Sequence, residues 1–123
     1  MKNMDSPYII KIHNNFEDDE YLYMLLEYCN GGDLLTYQSA LKGKIFTLTE
    51  AVDVLTDVIK GMVDLHDKGY LHRDLKLENI LVCNDNGKKT FKLADFGFSK
   101  PQNQMRATNV GTDLYKAPEV YLE

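Results

Sequence analysis

No run of apolar residues in this chain approaches the roughly 20 that a bilayer-spanning helix needs, so no membrane span is expected. The opening residues MKNMDSPY lack the apolar core of a signal peptide, which argues against secretion. Basic residues are outnumbered, 14 Lys and Arg against 19 Asp and Glu, for a formal net charge of -5. An acidic chain without a basic stripe is a poor binder of nucleic acid or anionic membranes. Cysteine is scarce. Cys29 and Cys83 stand in unrelated contexts with no CxxC or Cys/His ligand spacing. They are expected to be two reduced thiols of an intracellular, cytoplasmic protein, rather than a disulfide or a metal site. Internal repeats and low-complexity segments are absent as well.

What is present has the size of one small domain, 123 residues with 44% hydrophobic and 27% charged content, an ordinary globular balance. IIKIHNNF (9–16) and EYLYMLLEY (20–28) are β-prone runs joined by the acidic turn EDDE, which predicts a hairpin. Gly31-Gly32 breaks the chain, and DLLTYQSALKGK predicts a short helix ending near Gly43. Thr47 and Glu50 have capping-box spacing. Beyond them Val54, Leu55, Val58, Ile59, Met62 and Leu65 recur at three- and four-residue steps, an amphipathic helix that stops near Gly69. Short strands follow at Tyr70-Leu71, ILVCN and TFKLA, the last two joined through NDNGKK. From Asp95 the chain turns polar and aperiodic, the pattern of a long loop with a functional role.

Three clusters carry the chemistry: HRDLKLEN at 72–79, ADFG at 94–97 and GTDLYKAPE at 111–119. HRD alone means little. Here Lys76 stands two residues after Asp74, Asn79 five residues after it, DFG follows a strand hairpin, and APE closes the long loop. An unrelated α+β metal-binding protein would account for Asp74, Asn79 and Asp95, but not for the three clusters together.

On these motifs the chain resembles the protein kinase family over essentially its whole length. SPYIIKIHNNF looks like the segment leaving helix C into strand 4, and LYMLLEYCNGGDL looks like strand 5, the hinge and the ribose-contacting stretch. Lys76 after HRDL points to the serine/threonine branch, since tyrosine kinases usually have Ala or Arg nearby. EYCNGGDL and ADFGFSK are most similar to the autophagy-initiating kinases and their calmodulin-dependent-kinase-like relatives. The resemblance implies part of a two-lobe α+β kinase fold. Residues 1–26 would supply small-lobe strands, 27–33 the hinge, and 34–123 the large lobe from its start through the activation segment.

The implied reaction is transfer of the ATP γ-phosphate, with Mg²⁺, to Ser/Thr hydroxyls of a protein substrate. By resemblance Asp74 accepts the hydroxyl proton late, Lys76 neutralises the γ-phosphate, and Thr112 steadies both. Asn79 and Asp95 are the metal ligands, hard oxygens for a hard cation. The backbone of Glu27 and Cys29 meets the adenine edge, Leu26 guards the rear pocket, Asp33 holds the ribose, and Leu81 packs beneath the ring. His72 is expected to be structural, stacking with Phe96 and with a strand-4 residue matching Ile12. His13 and His66 are given no role. Arg73 marks the subclass switched by an upstream kinase, and a phosphate on Thr108 would gain hydrogen bonds from Arg73 and Lys100. Ser99 is the weaker candidate.

The family's GxGxxG loop, its VAIK-type lysine and its helix-C glutamate have no counterpart here, and the chain ends shortly after Glu119. Asp113 and Leu77 stand where proline is common, but neither position supplies a functional group. The expectation is a fragment, marginally folded alone and with little kinase activity. The alternative is a non-catalytic kinase remnant that binds a partner or competes with a full kinase.

Overall fold

A computed structural model describes residues 4–101 and 110–121, and its elements have the expected mixed α+β character. In chain order they are β1 (Ile12–Glu17), β2 (Leu22–Leu26), α1 (Leu34–Ala40), α2 (Leu48–Asp67), β3 (Tyr70–Leu71), β4 (Ile80–Asp85), β5 (Lys88–Leu93), β6 (Lys100–Pro101) and α3 (Pro118–Tyr121). The strands pair antiparallel as β1–β2, β3–β6 and β4–β5.

Local chemistry explains most of the boundaries. In the EDDE turn, the Asp18 carboxylate accepts the backbone N–H groups of Glu20 and Tyr21 at 2.9 and 2.8 Å. Asp33 caps α1, accepting the Thr36 N–H at 2.8 Å. α1 ends earlier than the expected stop, at Ala40. A separate 3₁₀ turn, Lys42–Lys44, follows it, with Gly43 at a φ of 73°. At α2 the capping box is formed: Glu50 N–H donates to the Thr47 hydroxyl at 3.2 Å, and Thr47 N–H donates to the Glu50 carboxylate at 3.1 Å. Asn86 and Gly87, with φ of 50° and 85°, make the two-residue turn between β4 and β5 that matches strand twist.

The core lies between α2 and the β4–β5 hairpin. Val54, Val58 and Leu65 of α2 pack with Ile80, Val82, Phe91 and Leu93, and Ile9 and Leu34 complete the cluster. A Cβ on Gly61 would stand 2.7 Å from the Tyr8 carbonyl oxygen, so only glycine allows α2 to approach this closely. Asp57 fastens the same contact by accepting the Phe91 N–H at 3.1 Å. Part of the apolar stripe expected on α2 is left outside, while Val54, Val58 and Leu65 are buried and Met62 packs against the core. Leu55 and Ile59 are exposed, together with Val52 and Val63.

Two expectations are corrected. The segment after Asp95 is not wholly irregular, because Lys100–Pro101 returns to pair with β3. Cys29 and Cys83 are joined in a disulfide, not held as two thiols. The reason is that residues 30–33 lie along β4. Gly31 N–H donates to the Val82 carbonyl at 2.8 Å, Val82 N–H donates to the Gly32 carbonyl at 2.8 Å, and Asp33 bridges Leu81. Asn30 extends the pairing with its side chain, donating to the Asn84 carbonyl at 2.9 Å and accepting the Asn84 N–H at 2.8 Å. This alignment brings the two cysteine Cα atoms to 4.4 Å across a sequence separation of 54 residues.

Candidate functional site

The residues of HRDLKLEN occupy the connection from β3 to β4, where a 3₁₀ turn at Leu77–Asn79 delivers the chain into β4. Its base is His72, only 1% exposed. Asp74 N–H donates to His72 Nδ1 at 3.3 Å, so Nδ1 is the unprotonated nitrogen, and Nε2–H donates to the Ala94 carbonyl at 2.9 Å. Burial lowers the His72 pKa, in keeping with this neutral tautomer. The imidazole thereby ties the loop to the start of the ADFG segment. The Phe96 ring lies 5.2 Å from the His72 ring, as expected. Phe96 also packs against the small cluster of Ile10, Cys29 and Ala94, Ile10 lying just before β1.

Asp74 is buried, and both carboxylate oxygens are engaged. Oδ1 accepts the Thr112 N–H and hydroxyl, each at 2.8 Å. Oδ2 accepts from Asn79 Nδ2 at 3.0 Å and pairs with Lys76 Nζ at 3.0 Å. Lys76 Nζ also donates to the Thr112 hydroxyl at 2.8 Å. Burial pushes the Asp74 carboxyl upward, but the bonds from Lys76 and Thr112 outweigh it and hold the group below its ordinary value. The Asp74 carboxylate in turn raises the Lys76 ammonium. The four residues expected to act together do meet: Asp74, Lys76, Asn79 and Thr112.

Backbone conformation sharpens the site. Arg73 and Asp95 both sit at left-handed φ, 67° and 56°, unusual for residues with a Cβ. Arg73 Nε donates to the Phe98 carbonyl at 2.6 Å, joining the HRD turn to the segment after DFG. Gly111, at φ 103°, lies so close to the Arg73 carbonyl that a Cβ would stand 2.7 Å from its oxygen. That contact was missed from sequence, although a glycine directly before Thr112 was the available signal. The anchors at the Ala94 and Phe98 carbonyls were missed too, and backbone acceptors leave no sequence signal at all.

The other expected site residues are more dispersed. Glu27 turns its carboxylate to Lys92 Nζ at 2.5 Å and to Lys11 N–H at 3.2 Å, and its own N–H donates to the Lys11 carbonyl at 2.9 Å. Burial raises the Glu27 carboxyl, but the Lys92 hydrogen bond and its neighbours bring the net shift down. Asp33 has both oxygens on Thr36, at 2.8 Å each, in its capping role. Leu81 packs with Cys29, Ile10 and Ala94 in a small apolar cluster. Lys100 pairs with Leu71 through the β3–β6 ladder. Thr108 lies outside the described residues. A cavity of about 530 Å³ between α2 and β5, lined by Tyr8, Asp57, Lys60 and Lys89 among others, shares no residue with the Asp74 cluster.

Among the described residues no group of three or more His, Cys, Asp or Glu is placed to hold a metal ion. A cation that brings most of its own oxygen ligands fits better. Asn79 Nδ2 gives its hydrogens to the Asp74 carbonyl and carboxylate, at 2.9 and 3.0 Å, which turns its carbonyl oxygen into the available donor atom. Asp95 is exposed, and its Oδ1 accepts the Gly97 N–H at 3.2 Å. Two hard oxygens of this kind suit Mg²⁺ carried on phosphates and water.

The family model for the protein kinase domain matches residues 1–123. The chain is 39% identical over 124 residues to the serine/threonine-protein kinase DCLK3 of Homo sapiens, covering 100% of this chain and 19% of that protein. It is 37% identical over 122 residues to calcium-dependent protein kinase 5 of Plasmodium falciparum (isolate 3D7), with 98% and 21% covered. Identity to the serine/threonine-protein kinase PLK4 of Xenopus laevis is 39% over 117 residues, with 93% and 12% covered. The chain therefore spans between 12% and 21% of the length of these curated relatives.

Proposed function

This chain belongs to the protein kinase domain family, and on that premise we propose that it carries the phosphoryl-transfer centre of a serine/threonine protein kinase. The observation that carries the reading is the joint grip of Thr112, Lys76 and Asn79 on the Asp74 carboxylate, from positions up to 38 residues apart. Residues 1–26 are read as small-lobe strands, 27–33 as the hinge, and 34–123 as the large lobe through its activation segment.

Asp74 orients the attacking Ser/Thr hydroxyl of a protein substrate. A carboxylate held below its ordinary pKa is a weak base, so it takes the proton late, when the oxygen–phosphorus bond is already forming. Lys76, with its pKa raised, stays cationic and faces the charge of the transferring phosphate. Thr112 fixes the direction of both side chains. Asn79 and Asp95 would hold Mg²⁺, which would neutralise charge on the ATP phosphates. With its N–H already bonded to Lys11, Glu27 offers its carbonyl to the adenine edge, and Cys29 offers its backbone beside it. Leu81 forms part of the apolar floor, and Asp33 serves the ribose from the head of α1. Activation is assigned to an upstream kinase acting on Thr108, read by Arg73 and Lys100, and the working compartment to the cytoplasm.

The test uses the full-length product of the gene that encodes this chain. Transfer of labelled phosphate from Mg²⁺-ATP to a degenerate Ser/Thr peptide mixture should fall by about 10²–10⁴-fold in Asp74→Asn. Equal transfer by both proteins would overturn the reading. Retained ATP binding with no transfer by either protein would support the alternative, a non-catalytic module.

A further inference from the structure

We propose that Cys29 and Cys83 form a reversible redox modification site that latches the 27–33 segment onto β4. Four observations converge on it. The two residues are bonded, and their backbones are held side by side by the Gly31–Val82 and Asn30–Asn84 hydrogen bonds, so the cysteines remain neighbours when the bond is open. An acceptor for the reduced state is already in place, because Cys83 Sγ lies 4.0 Å from Glu27 Oε1, a carboxylate itself anchored by Lys92 at 2.5 Å. Cys83 is half-buried and reachable, whereas Cys29 is 9% exposed, so the two have distinct roles as entry and resolving thiol. Finally, the pair packs with Ile10, Ala94, Phe96 and Leu81, and Leu81 is the residue read above as part of the apolar floor of the nucleotide site. In a reducing compartment disulfides are mainly transient and redox-sensing, so the proposed cytoplasmic setting points to a switch and not a permanent staple.

The chemistry is thiol–disulfide exchange with a small-molecule disulfide such as oxidised glutathione. The Cys83 thiolate attacks one glutathione sulfur, forming a mixed disulfide and releasing the first glutathione thiolate. The Cys29 thiolate then attacks Cys83 Sγ, closing the protein bond and releasing the second. Two protein thiols are oxidised, one glutathione disulfide is reduced to two thiols, and the two protons end on those thiols. Reduced glutathione reverses both steps. The consequence for nucleotide binding, a hinge held rigid in the oxidised form, rests on the kinase reading; the bond itself does not.

Two measurements on the purified full-length product of the encoding gene separate these points. In buffers running from fully reduced to fully oxidised glutathione, alkylation followed by non-reducing peptide mapping should show the Cys29–Cys83 linkage appear and disappear reversibly. Cys29→Ser and Cys83→Ser should each abolish it. Both thiols alkylated in every buffer, or a linkage that survives in fully reduced glutathione, would overturn the switch. Hydrogen exchange should be slower by about tenfold or more at the Gly31, Val82 and Asn84 amides in the oxidised form, and equal rates would overturn the latch. Failure of ATP binding in either form would count against the kinase reading and leave the redox titration as it stands.

Discussion

His72, Asp74 and Asn79 are buried between β3 and β4, while Leu22, Met24 and Leu25 of β2 stand exposed. One chain thus hides ionisable and amide groups and displays aliphatic ones. In the HRD region the cost of burying polarity is offset because the groups satisfy one another. Among the described residues no buried side-chain nitrogen or oxygen is left without a hydrogen-bond partner. The β1–β2 hairpin is held instead by its own ladder and by a Phe16–Tyr23 stack with centroids 4.9 Å apart. A two-stranded hairpin without a covered face is marginal in water. The polar region is therefore the stable one, since its buried groups are mutually hydrogen-bonded, and the apolar hairpin is the weak one.

The largest test of that contrast lies in the shared core. Leu65 and Leu93 are both 0% exposed, between α2 and β5. Leu65→Ala or Leu93→Ala should cost about 2–5 kcal/mol, a large part of any small domain's stability. The expected outcome is loss of a cooperative urea transition followed by far-UV circular dichroism. A transition unchanged by either substitution would show that the core does not carry the HRD loop.

Next comes the polar network. Asn79→Leu keeps the side-chain volume but removes both donors from the Asp74 carbonyl and carboxylate. Leaving buried acceptors unsatisfied costs about 1–3 kcal/mol. The urea midpoint should fall accordingly, with the m-value unchanged. No change in midpoint would mean that the network serves chemistry alone and does not support the fold.

How much of this was legible beforehand follows from where each signal resides. α2 could be read because period and capping box are local, and the β4–β5 turn because Asn-Gly specifies its own geometry. The meeting of Asp74 with Thr112 could be read only through resemblance, since no spacing rule joins positions 38 apart. The Cys29–Cys83 bond was misread because the pairing of 30–33 with β4 is tertiary and mostly backbone, and such pairing is silent in side-chain patterns. The same blindness hid β6, and it hid which part of the α2 stripe would be covered.

Acidification offers a smaller effect with a definite sign. His72 is held neutral, its folded pKa below 6.5 chiefly through burial. Its contribution to stability is complete above the unfolded value of 6.5 and declines as pH falls below it, because the unfolded chain then binds the extra proton. Asp74, Asp33 and Glu27 are also held down, but their contributions are lost only below unfolded values of 3.8 and 4.5. Between pH 7.5 and 5.5 the urea midpoint should drop, and His72→Gln should flatten that slope. An equal slope in the variant would remove His72 as its source.

The smallest effect is expected in the hairpin, and its smallness is the point. Leu25 is 58% exposed and pairs with Asn14 across the ladder, so its side chain contributes little burial in this structure. Leu25→Thr introduces a β-branched, strand-favouring residue while removing exposed apolar area. Stability should change by no more than about 0.5 kcal/mol, while the concentration at which the chain self-associates, read by light scattering, should rise. A loss approaching that of Leu93→Ala would mean that β2 is packed in solution. The two regions would then differ in chemistry alone, and the exposed face would be an interface already in use.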